Sequence, residues 1–254
     1  DGLILSNNGT DATNDIDIAI GQCRDSVDEL DMFLAAALTK RMDAAWVVGT
    51  NQGGLDGTES FAGTPDNDTW YHVWLIKRPD TRVVDVAFSE NATGGPSIDG
   101  TPIPTAYTHF RRLGAVRRGT ADNLDFSQLG NEFLLKASIL DVDVATPATT
   151  AVLSTLTVPL GVKVWAIFNT YIDIDTNSAD GVLISSPDKD DEAPSTTVTP
   201  LVSIYNAVSG AAVGQGPYQV RTNTSSQVRR RALGSPATLR IATRGWVDPR
   251  GKDA

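Results

Sequence analysis

Short apolar stretches separated by turn residues recur along the whole chain, and they constrain its fold more than any other feature. In residues 16–20 isoleucine alternates with Asp17 and Ala19, which indicates a strand with one apolar and one polar face. The clearest pair of strands is predicted at 70–77 and 82–89. Pro79 and Asp80 lie between them, and these residue types favour a tight turn. The pattern predicts an all-β fold of antiparallel, jelly-roll-like sandwiches with long loops.

A change in composition divides this pattern into two modules. Residues 145–150 read Ala-Thr-Pro-Ala-Thr-Thr and have little apolar surface to bury, as is typical of a linker. The chain has 254 residues, enough for two ordinary β domains. We therefore expect one sandwich over 1–140, a linker over 141–150 and a second sandwich over 151–254. Further strands are predicted at 2–6, 16–23, 109–118, 124–128, 132–137, 151–158, 163–174, 182–185, 201–208, 218–222, 227–233 and 238–247.

One segment favours a helix instead. An apolar residue recurs at every fourth position from Leu34 to Trp46, behind candidate N-caps at Asp28 or Asp31. The alternative is a strand over 32–37 followed by a hook, since tertiary contacts can override helix propensity. At most one short helix is therefore expected, over residues 31–46.

The charge distribution bears on partners. The net charge of −10 argues against nucleic acid, because a phosphate-binding chain needs a positive field. No apolar run is long enough to insert into a membrane. Acids are concentrated in residues 1–36 and cations in 217–254, which suits contact between subunits. Arg229, Arg230 and Arg231 are the predicted assembly surface, although two solvated faces explain the asymmetry equally well.

Residues that could carry catalysis or bind metals are scarce. Cys23, expected to be a core residue, is the only cysteine, and there are two histidines, so disulfide, zinc and histidine chemistry have few candidates. Residues 173–177 begin like a calcium loop, but Ser178 and Ile184 stand where that motif needs Gly and Glu. We expect no cofactor, no metal and no catalytic residue. A glycosidase-type carboxylate pair remains open, because it cannot be identified from sequence.

The glycine-rich loop over residues 49–65 is the predicted ligand site. Asn51, Gln52 and Asp56, with the nearby Trp70 and Tyr71, would suit a polar or carbohydrate ligand. A phosphate is not expected, since no Gly-Lys-Ser/Thr follows the glycines.

The five tryptophans are assigned to core or surface from their positions in the predicted strands. Trp74 and Trp165 lie within apolar strands and are expected in the core. Trp46, Trp70 and Trp246 lie near segment ends and are candidates for exposed contact residues.

Six runs of the sequence carry a resemblance to known proteins: GLILSNN at 2–8, IDIAIGQCRD at 16–25, ALTKRMDAAW at 37–46, GGLD at 53–56, YHVWLIKR at 71–78 and GWVDPRG at 245–251. Together they resemble structural proteins of tailed bacteriophages and prophages, chiefly of the tail-fibre or virion-appendage type. The resemblance implies a non-enzymatic virion protein, a homotrimer that contacts other tail or capsid proteins and presents loops to a host surface glycan or protein. No heptad repeat is present, so a globular head or adaptor piece is expected rather than a shaft. Two alternatives remain: a capsid decoration or head-fibre protein, and a tailspike-like polysaccharide depolymerase.

Overall fold

The computed structural model describes residues 2–61, 63–98, 101–102, 106–173, 179–195, 202–205, 217–234 and 238–251. Within these residues the chain forms twenty β-strands and no helix, which confirms the predicted all-β class. A membrane-spanning helix is accordingly not found in this part of the chain. Two compact units are present: residues 1–133 together with 248–254, and residues 134–247.

The first unit is built on a seven-stranded sheet with the order β1-β2-β5-β6-β8-β7-β11. The β5–β6 and β6–β8 pairs are parallel, and the other neighbours are antiparallel. Strands β3 and β4 pair separately as a hairpin, as do β9 and β10. The strands of this unit are β1 (Leu5–Asn7), β2 (Asp15–Ile18), β3 (Gly21–Arg24), β4 (Asp31–Leu34), β5 (Leu38–Ala45), β6 (Gln52–Leu55), β7 (Trp70–Lys77), β8 (Val84–Ser89), β9 (Ser97–Ile98), β10 (Thr101–Pro102), β11 (His109–Arg117) and β12 (Phe126–Leu129).

The second unit contains two sheets, and its β15–β18, β15–β20, β14–β19, β16–β17 and β16–β19 pairs are antiparallel. One includes the neighbouring strands β13-β20-β15-β18, and the other has the order β14-β19-β16-β17. Alternate side chains of both sheets are buried, among them Phe168 and Ile241 on the first and Ile184 and Val228 on the second. The strands are β13 (Glu132–Ala145), β14 (Val152–Thr155), β15 (Trp165–Asp173), β16 (Ala179–Ser185), β17 (Val202–Tyr205), β18 (Pro217–Arg221), β19 (Gln227–Leu233) and β20 (Thr238–Val247).

The helix expected over residues 31–46 is wrong, because the segment forms strands β4 and β5. Met32 and Leu34 are buried while Asp31 and Phe33 are exposed, so the burial period is two rather than four. Lys40 and Met42 continue the buried face along β5. A lysine at a core position conceals this alternation in the sequence.

Other predicted strands agree with the structure to different extents. The hairpin of β7 and β8 is confirmed with antiparallel pairing, and β19 and β20 have the predicted bounds. The single strand predicted at 16–23 is instead β2 and β3, interrupted at Ala19 and Ile20. The strand predicted to end at 137 continues to Ala145. Of the strand predicted at 201–208, residues 201 and 206–208 lie outside the described part.

The observed division into units differs from the predicted one. It falls between Phe133 and Leu134, whereas residues 141–145 of the expected linker belong to β13. Residues 146–150 lie outside any strand and connect β13 to β14 within the second unit. Their small-residue composition therefore marks a loop of one unit. Residues 248–251 belong to the first unit, not to the C-terminal module.

Candidate functional site: the sheet face around Trp165

The predicted ligand loop presents few of its candidate residues to solvent. Asn51 and Gln52 are exposed, at the start of β6. Asp56, Trp70 and Tyr71 are buried. The structure therefore does not bring the five residues together as one accessible surface.

The buried members of that set hold the loop in place. Asp56 Oδ1 accepts hydrogen bonds from the backbone N–H and the hydroxyl of Thr58, at 3.0 and 2.7 Å. Tyr71 Oη accepts the backbone N–H of Asp66 at 2.7 Å, and burial raises the pKa of the Tyr71 phenol. Burial, and then the neighbouring carboxylates of Asp66, Glu59 and Asp56, also raise the pKa of Glu90. In the described residues no group of three or more His, Cys, Asp or Glu side chains could hold a metal ion.

The arginine triplet of β19 is engaged within the second unit. Arg229 donates to the carbonyls of Lys189 and Pro187, at 2.7 and 3.3 Å. Arg230 donates to Ser154 Oγ at 2.8 Å, and burial lowers the pKa of its guanidinium. Arg231 donates to the carbonyl of Thr149 and to Asp191, at 2.8 and 3.0 Å. Its role as an assembly surface remains a prediction.

A buried ion pair joins Lys40 of β5 to Asp85 of β8. Lys40 Nζ lies 3.1 Å from Asp85 Oδ1, and both side chains are fully buried. The same ammonium donates to the carbonyls of Val47 and Gly49, and Asp85 accepts the N–H of Gly49 at 2.8 Å. Burial lowers the pKa of Lys40 and raises that of Asp85. Because each donor of the ammonium has an acceptor, the pair fixes the loop after β5 to the sheet.

A second buried ion pair fixes residues 248–251 to β11. Both terminal nitrogens of Arg112 donate hydrogen bonds to the carboxylate of Asp248, at 2.6 and 2.8 Å. Nε of Arg112 donates to Nδ1 of His72 at 2.8 Å. Burial acts to raise the pKa of Asp248, but its contacts with Arg112 and with the backbone N–H of Arg250 lower it overall. Arg250 adds hydrogen bonds to the carbonyls of Leu113 and Leu3, at 2.7 and 2.6 Å.

Asp25 and His109 form a further pair in the first unit. His109 Nδ1 lies 2.7 Å from Oδ2 of Asp25, whose Oδ1 accepts the N–H groups of Glu29 and Leu30 at 2.7 and 3.1 Å. Burial acts to raise the pKa of Asp25, and the bonds to His109 and to the backbone lower it overall. These contacts close the turn between β3 and β4.

The tryptophans that the sequence assigns to core and surface are largely exchanged. Trp74 is buried, as predicted, but Trp165 is 48% exposed instead of lying in the core. Trp70 and Trp246 are buried rather than exposed, and Trp46 is half-buried. Residues 164–168 read Val-Trp-Ala-Ile-Phe, an unbroken apolar run from which the face of each side chain cannot be assigned.

The exposed ring of Trp165 belongs to the outer face of the β13-β20-β15-β18 sheet. Ala166, Phe168, Thr170 and Ile172 of β15 are buried, so the odd-numbered residues belong to the outer face. Trp165 and Asn169 are exposed on that face, and Ile167 between them is covered. Arg221 of β18 is the cross-strand partner of Trp165, and both are exposed. Gln219 lies two residues before Arg221 on β18, and Asn169 and Tyr171 lie four and six residues after Trp165 on β15. The exposed amides of Gln219 and Asn169 and the ring of Tyr171 therefore lie on the same face.

Three cations at this face have carboxylate partners, and a further one, the half-buried Arg244 of β20, lies two steps of two residues beyond Arg240. Asp188 lies 2.9 Å from Lys163 Nζ and 3.0 Å from Arg221, and the hydrogen bond from Lys163 lowers its pKa. Arg240 lies 3.0 Å from Asp143, and its guanidinium stacks 5.4 Å from the ring centre of Tyr171. The face therefore offers hydrogen-bonding groups and an aromatic ring without a concentration of one charge.

A signal for this face was present in the sequence. The odd positions of β15 read Trp165, Ile167, Asn169, Tyr171 and Asp173, which is more polar than the even positions. Residues 174–178, which complete the calcium-like segment, lie outside the described part.

Comparison with known proteins gives no further assignment. No family model matches the chain, and no curated protein matches it either.

Proposed function

We propose that the chain is a non-enzymatic structural protein of a tailed-phage virion, of the tail-fibre or receptor-binding type, which attaches the particle to its host. The sequence runs that resemble such proteins support the virion assignment, and the all-β architecture is compatible with it. The observation that carries the attachment role is the exposed Trp165 face. A large ring left in water on an inner strand of a sheet marks a contact site, because burying it against a partner is favourable.

Attachment is tested with the phage or prophage whose genome encodes the chain. Immunogold labelling should place the chain on the tail, and excess purified protein should reduce adsorption of the particle to host cells. Labels on the head would instead identify a capsid decoration or head-fibre protein. Release of reducing sugar from host polysaccharide would identify a depolymerase, and absence from purified particles would reject the virion assignment.

The homotrimer that the resemblance implies is tested separately by sedimentation equilibrium of the purified chain. The expected mass is three times that of one chain. A stable monomer at micromolar concentration would contradict the fibre assignment.

A further inference from the structure

We propose that the outer sheet face around Trp165 binds a neutral saccharide chain, with the indole as its stacking platform. As an account of host recognition this inference rests on the proposed attachment function. The binding event itself depends only on the residues of strands β15, β18 and β20.

The first argument is the chemistry of the exposed ring. Trp165 is 48% exposed and projects from an inner strand whose neighbours β18 and β20 hold it on both sides. A sugar ring has a face of C–H groups that can cover an indole, and an edge of hydroxyl groups that stays hydrogen-bonded. An exposed aromatic ring surrounded by polar side chains is suited to such a ligand.

The second argument is the set of polar groups beside the ring. Arg221 lies directly opposite Trp165, and the exposed amides of Gln219 and Asn169 follow on the same face. Two residues along a strand span about 7 Å, so these groups reach successive parts of an extended ligand. Guanidinium groups donate to hydroxyl oxygens, and amide groups both donate to and accept from hydroxyl groups.

The charges of the face favour a neutral ligand over an acidic one. Lys163 and Arg221 share Asp188, and Arg240 pairs with Asp143. The further cation of the face, Arg244, is half-buried. A carboxylated or phosphorylated polysaccharide would have to compete with these carboxylates. It would also approach a chain whose net charge is −10.

The apolar area of the face argues against a protein partner. A stable protein interface buries about 800 Å² on each side around an apolar centre. On the described residues of β15, β18 and β20, Trp165 is the one large hydrophobic side chain that is strongly exposed. A single ring surrounded by polar groups fits a sugar better than an interface of that size.

The test is affinity electrophoresis of the full chain in native gels that contain dextran, laminarin, yeast mannan or galactan. Gels with alginate or polygalacturonate provide the acidic comparison. At least one neutral polymer should retard the chain. Trp165→Ala should raise the dissociation constant obtained from this retardation about thirtyfold or more. Trp165→Phe should retain part of it. Phe33→Ala removes another exposed aromatic side chain, 60% exposed and in the first unit, and should bind as the unaltered chain does.

Near-UV circular dichroism and the urea midpoint establish that each variant is folded. The proposal is overturned if none of the four neutral polymers retards the chain, if only the acidic ones do, or if folded Trp165→Ala binds with unchanged strength. Saccharide binding by a chain that is absent from virions would reject the attachment function but leave this site standing. A chain that is found on virion tails but binds none of the neutral polymers would overturn the saccharide site and leave the virion assignment standing.

Discussion

Replacing Asp248 by Asn tests how strongly the closing segment stabilises the first unit. The change preserves the size of the side chain but removes the charge that pairs with Arg112, which is only 2% exposed. A buried cation that loses its partner destabilises a protein by about 3–5 kcal/mol, because its desolvation is no longer offset. The carbonyl oxygen of the introduced amide could still accept one hydrogen bond, so we expect a value near the lower end of that range.

Hydrogen exchange followed by mass spectrometry measures this loss locally, in peptides that cover β7 and β11. A loss of about 3 kcal/mol should accelerate exchange there about a hundredfold, because each 1.4 kcal/mol corresponds to a factor of about ten. The matched control is Asp80→Asn, which breaks the exposed pair with Arg78, 2.6 Å apart, and should leave exchange in these peptides unchanged. Exchange in Asp248→Asn within a few fold of the unaltered chain would refute the reasoning.

Three further outcomes are expected from the buried polar groups. The pKa of Asp248 is lowered on folding, so its stabilising effect is complete above about pH 4 and is lost as the pH falls further. Urea midpoints measured between about pH 6 and pH 3 should show this loss, and Asp248→Asn should make the midpoint depend less on pH. Lys40→Met should lower the free energy of unfolding by about 3–5 kcal/mol, because it leaves the buried Asp85 carboxylate without its partner. Adding Asp85→Leu should restore most of that loss, as measured by a double-mutant cycle in urea. Cys23 is partly buried instead of lying in the core, and this burial raises the pKa of its thiol to about 11. The rate of alkylation by iodoacetamide should therefore increase with pH up to that value. A rate that levels off near the ordinary thiol pKa of about 8.5 would contradict the buried environment.

The parts of the fold that could be predicted are those where local chemistry and burial agree. The β7–β8 hairpin combines two apolar strands with a turn at Pro79 and Asp80, and each signal indicates the same structure. Strand β19 was also predicted with its observed bounds, because its polar flanks at 223–226 and 234 are turn residues.

The segment over residues 31–46 could not be assigned because two side chains oppose the usual pattern. Lys40 occupies a core position that only its contact with Asp85 makes tolerable, and Phe33 is exposed where an apolar residue would be expected inside. The pairing of Lys40 with a residue forty-five positions away is not visible in the local sequence.

The candidate site was missed for a related reason. Residues 164–168 are all apolar, and such a run fits a strand buried on both faces as well as one with an exposed ring. Burial of Trp246 on the neighbouring β20 depends on which residues pair across β15 and β20, and pairing is a long-range property.

The return of residues 248–251 to the first unit has a consequence for how the chain folds during synthesis. Asp248 and Arg250 are made after all of residues 134–247, so the second unit is fully synthesised before the first can close. Until then Arg112 lacks its counter-ion, and the carbonyl of Leu3 lacks the donor that Arg250 supplies. Residues 2–133 therefore leave the ribosome before the second unit, yet their own unit reaches its final structure only after residues 248–251 have been made.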